Sequence, residues 1–260
     1  GKSVLGVAVI GAGLGVTGAI CGYLVGTVSS LAYSVFAVRR RLAPGGPPLR
    51  LDMRRLWQST QGIAMMQVCV IVLSFSDIVV VKHFFAPLEA GIYSAVALTG
   101  KVLLFLVGFV PLLVLPRAAA RTAQGRGSID VIVVAAAFLL AASGIVLLVF
   151  AARPLLVVRV MTGDAYLAAA PYILTYGIAM TLLSATQVLA TFNAGLHRFG
   201  FVLPLGAVAL AEVAGLILVP HHAPDVVRVL EIGNVCALAA TALPYVSERI
   251  FSRFASIAGH

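Results

Sequence analysis

WQSTQGIAMMQVCVIVLSFSDIVVVKHFFAPLEAGIYSAVALTGKVLLFLVGFVPLLVLPR, residues 57–117, decides how this chain reads. It holds two apolar runs, 57–81 and 91–115, joined by a short polar turn that contains Lys82, His83, Pro87 and Glu89. Each run has about 25 residues, enough for a helix to cross a hydrocarbon layer of roughly 30 Å. Each also carries a residue that a lipid-facing helix excludes. Asp77 lies near the end of the first run and Lys101 lies inside the second. A charge at mid-membrane costs about 2.5–3.5 kcal/mol on insertion scales, so such residues face a bundle interior or a wet cavity.

The rest of the chain repeats this pattern. Of its 260 residues 61% are hydrophobic and 10% charged, with mean hydropathy +1.08, which excludes an ordinary soluble domain and predicts an all-α polytopic membrane helix bundle. The net charge of +9 does not point to nucleic acid. There is no basic stripe with interleaved aromatics, and the arginines gather between apolar runs, as cytoplasmic-loop charge does. Cys21, Cys69 and Cys236 lie inside apolar runs without metal-like spacing and read as small core hydrophobes.

Upstream of the deciding stretch, the apolar run 4–38 is too long for one span and too short for two. It predicts a truncated helix to about Gly13 and a full one over 16–38. Gly18, Gly22 and Gly26 on one face would allow close approach of another helix. Residues 39–56 follow, with six arginines against one acid and a Pro/Gly cluster that breaks any helix. Their second half is either a short amphipathic helix on the headgroups or a solvated linker. Downstream, Pro116 is expected to end the fourth span. Further spans are expected at 129–151, 171–193, 199–219 (bent at Pro204) and 226–246, with a longer connection over 153–170. The sum is about seven full transmembrane helices plus the truncated one. With 39–56 in the cytoplasm, cytoplasmic segments hold thirteen Lys/Arg and outer segments four (Lys82, Arg153, Arg159, Arg228), with Lys101 inside a span. That bias predicts a multi-pass protein with a cytoplasmic C-terminus.

The candidate site consists of the polar residues inside spans. On the third span Thr60, Gln67 and Ser74 recur every seven residues and Asp77 follows. On the sixth, Tyr176, Met180, Ser184, Gln187 and Thr191 form a similar stripe, and Glu212 sits near the middle of the seventh. Such residues either glue helices together or line a hydrophilic cavity. Lys101 and Glu212 lie at similar depth, so they either pair or, with Asp77, Gln67, Ser74, Gln187 and Ser184, contact a polar, anionic cargo. A lysine is a natural point contact for phosphate, and Asp77 or Glu212 suits a cation or proton. No metal-ligand spacing, phosphate-cradling Gly-rich loop or nucleophile elbow is present, so neither a cofactor nor an enzymatic activity is expected.

Ser76-Asp77 through Lys82-His83-Phe84-Phe85, then Glu89-Ala90-Gly91-Ile92-Tyr93-Ser94-Ala95, Lys101 and Leu115-Pro116-Arg117 resemble the polysaccharide-biosynthesis flippases of the multidrug/oligosaccharidyl-lipid/polysaccharide exporter superfamily. The stretch from Pro154 through Gly163-Asp164-Ala165-Tyr166 to Pro171, and Asn193-Ala194-Gly195-Leu196-His197-Arg198, resemble the second half of that family. The resemblance implies two six-helix lobes around a central cavity and alternating-access transport of lipid-linked sugars across the cytoplasmic (inner) membrane. Matched to that pattern, 1–38 is the end of a first lobe, 39–56 the basic inter-lobe loop, 57–247 a six-helix second lobe and 248–260 a cytoplasmic tail. The expected partners are a lipid-linked sugar, membrane lipids, and a missing N-terminal lobe or partner subunit. An ion-coupled multidrug exporter and a non-transporting scaffold for glycan synthesis are the alternatives.

Overall fold

The computed structural model describes residues 15–41, 53–123, 129–218 and 222–258, and all of their regular secondary structure is helical. The expected truncated first helix and most of the basic loop 39–56 lie outside these residues. The chain divides into two compact units, Gly1–Met53 and Arg54–His260.

The first unit contributes α1, Gly15–Arg41. Its Gly18, Gly22 and Gly26 are buried, whereas Tyr23, Leu24, Val28, Leu31, Tyr33 and Phe36 are exposed. Thr27, Ser29, Ser30 and Ser34 each donate to the carbonyl four residues back, so these four hydroxyls are satisfied within the helix, as an apolar surrounding demands.

Helix α2, Met53–Phe84, has all but its first residue in the second unit and is followed by the Phe85–Ala86 turn. Helix α3, Pro87–Val107, starts with proline in its first turn, where no N–H is needed, and with Glu89 complementing the dipole. The expected fourth span is two helices. The chain breaks at Gly108–Phe109 and resumes as α4, Val110–Ala123. Pro111 accounts for the break: its ring would clash with the carbonyl of Val107, the last residue of α3, while within the first turn of α4 it costs no hydrogen bond. Pro116, expected to stop this span, instead lies inside α4. One lost backbone bond is tolerated in an apolar bundle where neighbours and local adjustment satisfy the freed carbonyl.

Helix α5 is Ile129–Ala152. The expected connection 153–170 is structured, as the amphipathic α6, Pro154–Thr162, and a 3₁₀ segment, Asp164–Tyr172. Gly163 joins them at φ +91°, a left-handed geometry that glycine adopts without penalty. Helix α7, Ile173–Gly195, is the central column and packs against α3, α4, α5 and the last helix. Helix α8, Val202–Leu218, starts late enough that Pro204 falls in its first turn, so no bend arises there. Helix α9, Ala223–Ala258, packs on α7 and α8 and carries the expected tail onward as helix.

Among the described residues, five helical stretches are long and apolar enough to cross a membrane: Thr60–Phe84, Pro87–Val114, Asp130–Ala152, Asp164–Gly195 and Ala223–Leu243. Cys21–Ala37, within α1, and Val202–Leu218 are shorter apolar stretches among the described residues. The main core gathers Leu73, Val81, Tyr93, Leu103, Ile173, Tyr176, Met180, Leu205 and Leu230. A smaller cluster joins Val107, Val110 and Val114 to Leu139, Val188 and Phe192. Of the cysteines only Cys69 is in the core; Cys21 and Cys236 are exposed. On a membrane helix the outward face is apolar too, so composition does not separate inside from outside.

Candidate functional site: a buried charged cluster

Helix α2 buries Met66, Val70, Leu73, Asp77 and Val80, an i, i+3/i+4 stripe that draws Asp77 into the bundle with its apolar neighbours. The aspartate is fully buried and accepts three hydrogen bonds. Lys101 Nζ donates to Oδ1 at 3.1 Å, and Oδ2 accepts from the hydroxyls of Tyr93 at 3.0 Å and Tyr176 at 2.6 Å. Lys101 is 3% exposed, and its ammonium also lies 4.9 Å from the centre of the Phe75 ring. The two tyrosine rings meet edge to face at 6.1 Å. Gly100 brings α3 and α7 together here, since a β-carbon at that position would collide with the Tyr176 ring.

Beside this closed network sits an open one. Glu212 of α8 is 3% exposed, with Ser76 and Asp77 as its polar neighbours. Among the described residues neither of its carboxylate oxygens has a partner in good hydrogen-bond geometry, and the Ser76 hydroxyl, its polar neighbour, has none either. Gly233 of α9 lies against the same carboxylate, and a β-carbon there would overlap it. The adjoining Asn234 is fully buried with both amide atoms unbonded.

The candidate residues therefore separate. The structure brings Asp77, Lys101 and Glu212 into one region, but the partner of Lys101 is Asp77 and not Glu212. Ser74 and Ser184 are buried, yet each hydroxyl donates within its own helix, to Val70 and Met180. Gln187 is half-buried and Gln67 is exposed. Ten residues at 3.6 per turn leave Gln67 about 80° round from Asp77, which takes it off the buried stripe.

Tyr93 and Ser76 belong to the stretch quoted for the resemblance and Tyr176 to the polar stripe, but none of them stood out as a partner of a carboxylate. For Tyr93 a signal was present: counted from the Phe85–Ala86 turn, Asp77 lies eight residues back and Tyr93 seven forward, mirror positions in a helical hairpin. Tyr176 is 99 residues from Asp77, and no local pattern connects them. Asn193, which donates to the Thr241 carbonyl at 2.8 Å and ties α7 to α9, was equally silent. Among the described residues no three His, Cys, Asp or Glu side chains come together in a way that could hold a metal ion.

No protein-family model matches this chain, and neither the curated proteins nor the solved structures contain a match.

Proposed function

We propose that this chain is part of a membrane transporter that moves a lipid-linked oligosaccharide or polysaccharide precursor across the cytoplasmic membrane by alternating access. A second lobe, on the same polypeptide or on a partner subunit, completes the passage. The observation that carries this reading is Glu212, a carboxylate buried in an apolar helix with neither oxygen bonded, set beside the Asp77–Lys101 pair. A purely structural bundle gains little from such a cluster. Apolar side chains of similar volume usually stabilise as well as a buried ion pair, and an unpartnered buried carboxylate costs free energy. Intramembrane ionisable groups mark paths for ions, protons and polar cargo. The resemblance carried by residues 76–117 points the same way. In this reading Glu212 takes up a proton or cation, and the Asp77 network is the closed arrangement of an element that rearranges between access states.

The test is translocation of a fluorescent lipid-linked oligosaccharide in vesicles containing the intact protein. Transport is expected, and Glu212→Gln and Lys101→Ala are expected to abolish it while the protein still inserts. Wild-type rates in both variants would remove the cluster from the mechanism. Cation-driven drug efflux without oligosaccharide movement would instead place the protein among ion-coupled exporters. A second reading, a non-transporting scaffold for glycan synthesis, is favoured by the closure of the Asp77 network, in which every carboxylate oxygen already has a partner. Absence of any translocation by the intact protein would select it.

A further inference from the structure

Away from the charged cluster, α4 and α5 enclose a cleft of about 520 Å³. Its two ends differ in chemistry. One rim carries Arg117 and Arg121 from α4 and Asp130 from the first turn of α5. The Arg121 guanidinium bonds the Asp130 carboxylate at 2.8 Å, so among the described residues of the rim two cations stand against one anion. Below the rim the walls are apolar, including Val114 and Val134. The deep end is closed by Phe109 and Phe138, whose rings meet edge to face at 5.3 Å.

The dimensions match one leaflet. From Asp130 to Phe138 a helix rises about 12 Å at 1.5 Å per residue, and half a hydrocarbon core is about 15 Å. In the sequence the first apolar run ends at Leu115 and the next begins after Asp130, with Arg117 and Arg121 between them, which sets the arginines at headgroup level. Only 17% of the apolar window of α5 is buried, the least of the five spans, so this is a peripheral surface of its unit.

We propose that the α4–α5 cleft binds an anionic phospholipid of the surrounding bilayer. Its phosphate lies against Arg117 and Arg121, and one acyl chain descends between the helices to the Phe109–Phe138 pair. Charge complementarity selects the headgroup, since basic pockets between membrane helices hold anionic lipids. A guanidinium offers a paired donor geometry that suits phosphate oxygens. The Arg121–Asp130 pair is exposed, and an exposed ion pair exchanges for a phosphate contact at small cost. The proposal does not depend on what the protein transports.

The experiment is native mass spectrometry of the purified, delipidated chain titrated with phosphatidylglycerol, phosphatidylcholine or a polyprenyl phosphate. Phosphatidylglycerol is expected to bind at least about tenfold more tightly than phosphatidylcholine. Its affinity should fall by about fivefold for each of Arg117→Gln and Arg121→Gln. Val134→Trp, which fills the apolar wall and leaves both arginines in place, should also lose the lipid. Arg159→Gln, at another exposed arginine–aspartate pair, should not. Equal binding of the two phospholipids overturns the proposal, as does unchanged phosphatidylglycerol binding in the double arginine variant. Preference for the polyprenyl phosphate assigns the cleft to cargo and overturns it too, as does displacement of the lipid by inorganic phosphate alone.

Discussion

Gly233 presents bare backbone to the carboxylate of Glu212, and the space a β-carbon would fill is already occupied by that carboxylate and the side-chain carbons behind it. Both residues are buried, so neither has an open side to move into. The closeness of α8 and α9 and the position of the carboxylate therefore depend on each other. Gly233→Ala is expected to destabilise by about 1–3 kcal/mol, the usual cost of overpacking. Thermal unfolding of purified Gly233→Ala, Glu212→Ala and the double variant measures the coupling. The double variant should recover most of the loss caused by alanine at 233, and strict additivity would show that Glu212 is not what alanine meets.

The Asp77–Lys101 pair makes a prediction of opposite form. Lys101→Met alone leaves a buried carboxylate without its cation and is expected to cost about 3–5 kcal/mol. Adding Asp77→Asn should recover part of this, because asparagine brings no charge and its carbonyl oxygen can still accept from Tyr93 and Tyr176. The comparison is made by denaturation midpoints in one detergent. A double variant less stable than Lys101→Met would show that the carboxylate has support beyond the three bonds seen here.

Tyr176 and Tyr93 both serve Oδ2 of Asp77, at 2.6 and 3.0 Å. Tyr176→Phe and Tyr93→Phe are each expected to cost about 1.5–3 kcal/mol, the range for hydrogen bonds to charged groups. Gly100→Ala should cost more than Tyr176→Phe, because it displaces the whole ring and with it the edge-to-face contact to Tyr93. The same unfolding assay ranks the three. Gly100→Ala behaving like wild type would mean that α3 and α7 can separate without loss.

The residues that could be read in sequence were those whose pattern is local. Asp77 and Lys101 stood out because a charge inside an apolar run is improbable by chance. Helix positions followed from apolar run length. Their ends did not follow as well, because Pro111 and Pro116 carry the same local signal and only one of them breaks the helix. The difference lies in whether the chain can resume as a new helix there, which neighbouring helices help decide. The pairing within the site was out of reach for a similar reason. Depth along the spans offered Lys101 one acidic partner, Glu212, whereas in the structure it pairs with Asp77, whose other oxygen is held by Tyr176 of α7. That is a contact across 99 residues which no periodicity encodes. The sevenfold polar spacing sets Gln67 and Ser74 only about 20° apart on the helix, yet Ser74 is buried and Gln67 exposed, because what packs against α2 at each level is not encoded in the spacing.

Glu212 separates stability from function. Its carboxylate is buried and makes no hydrogen bond among the described residues, so it contributes desolvation cost without a compensating contact. Glutamine has nearly the same shape, carries no charge, and adds donors that can face the Ser76 hydroxyl. Glu212→Gln is therefore expected to raise the thermal midpoint, by a stability gain on the order of 1 kcal/mol, while abolishing translocation in the intact protein. A residue kept for packing would show neither change, because an isosteric change in a static core leaves both properties near wild type. Stabilisation with loss of transport is the signature of a group held at a thermodynamic disadvantage for the work it does. Loss of stability in Glu212→Gln would show instead that the carboxylate has a partner in the folded protein, and the case for its role in transport would then rest on Lys101 alone.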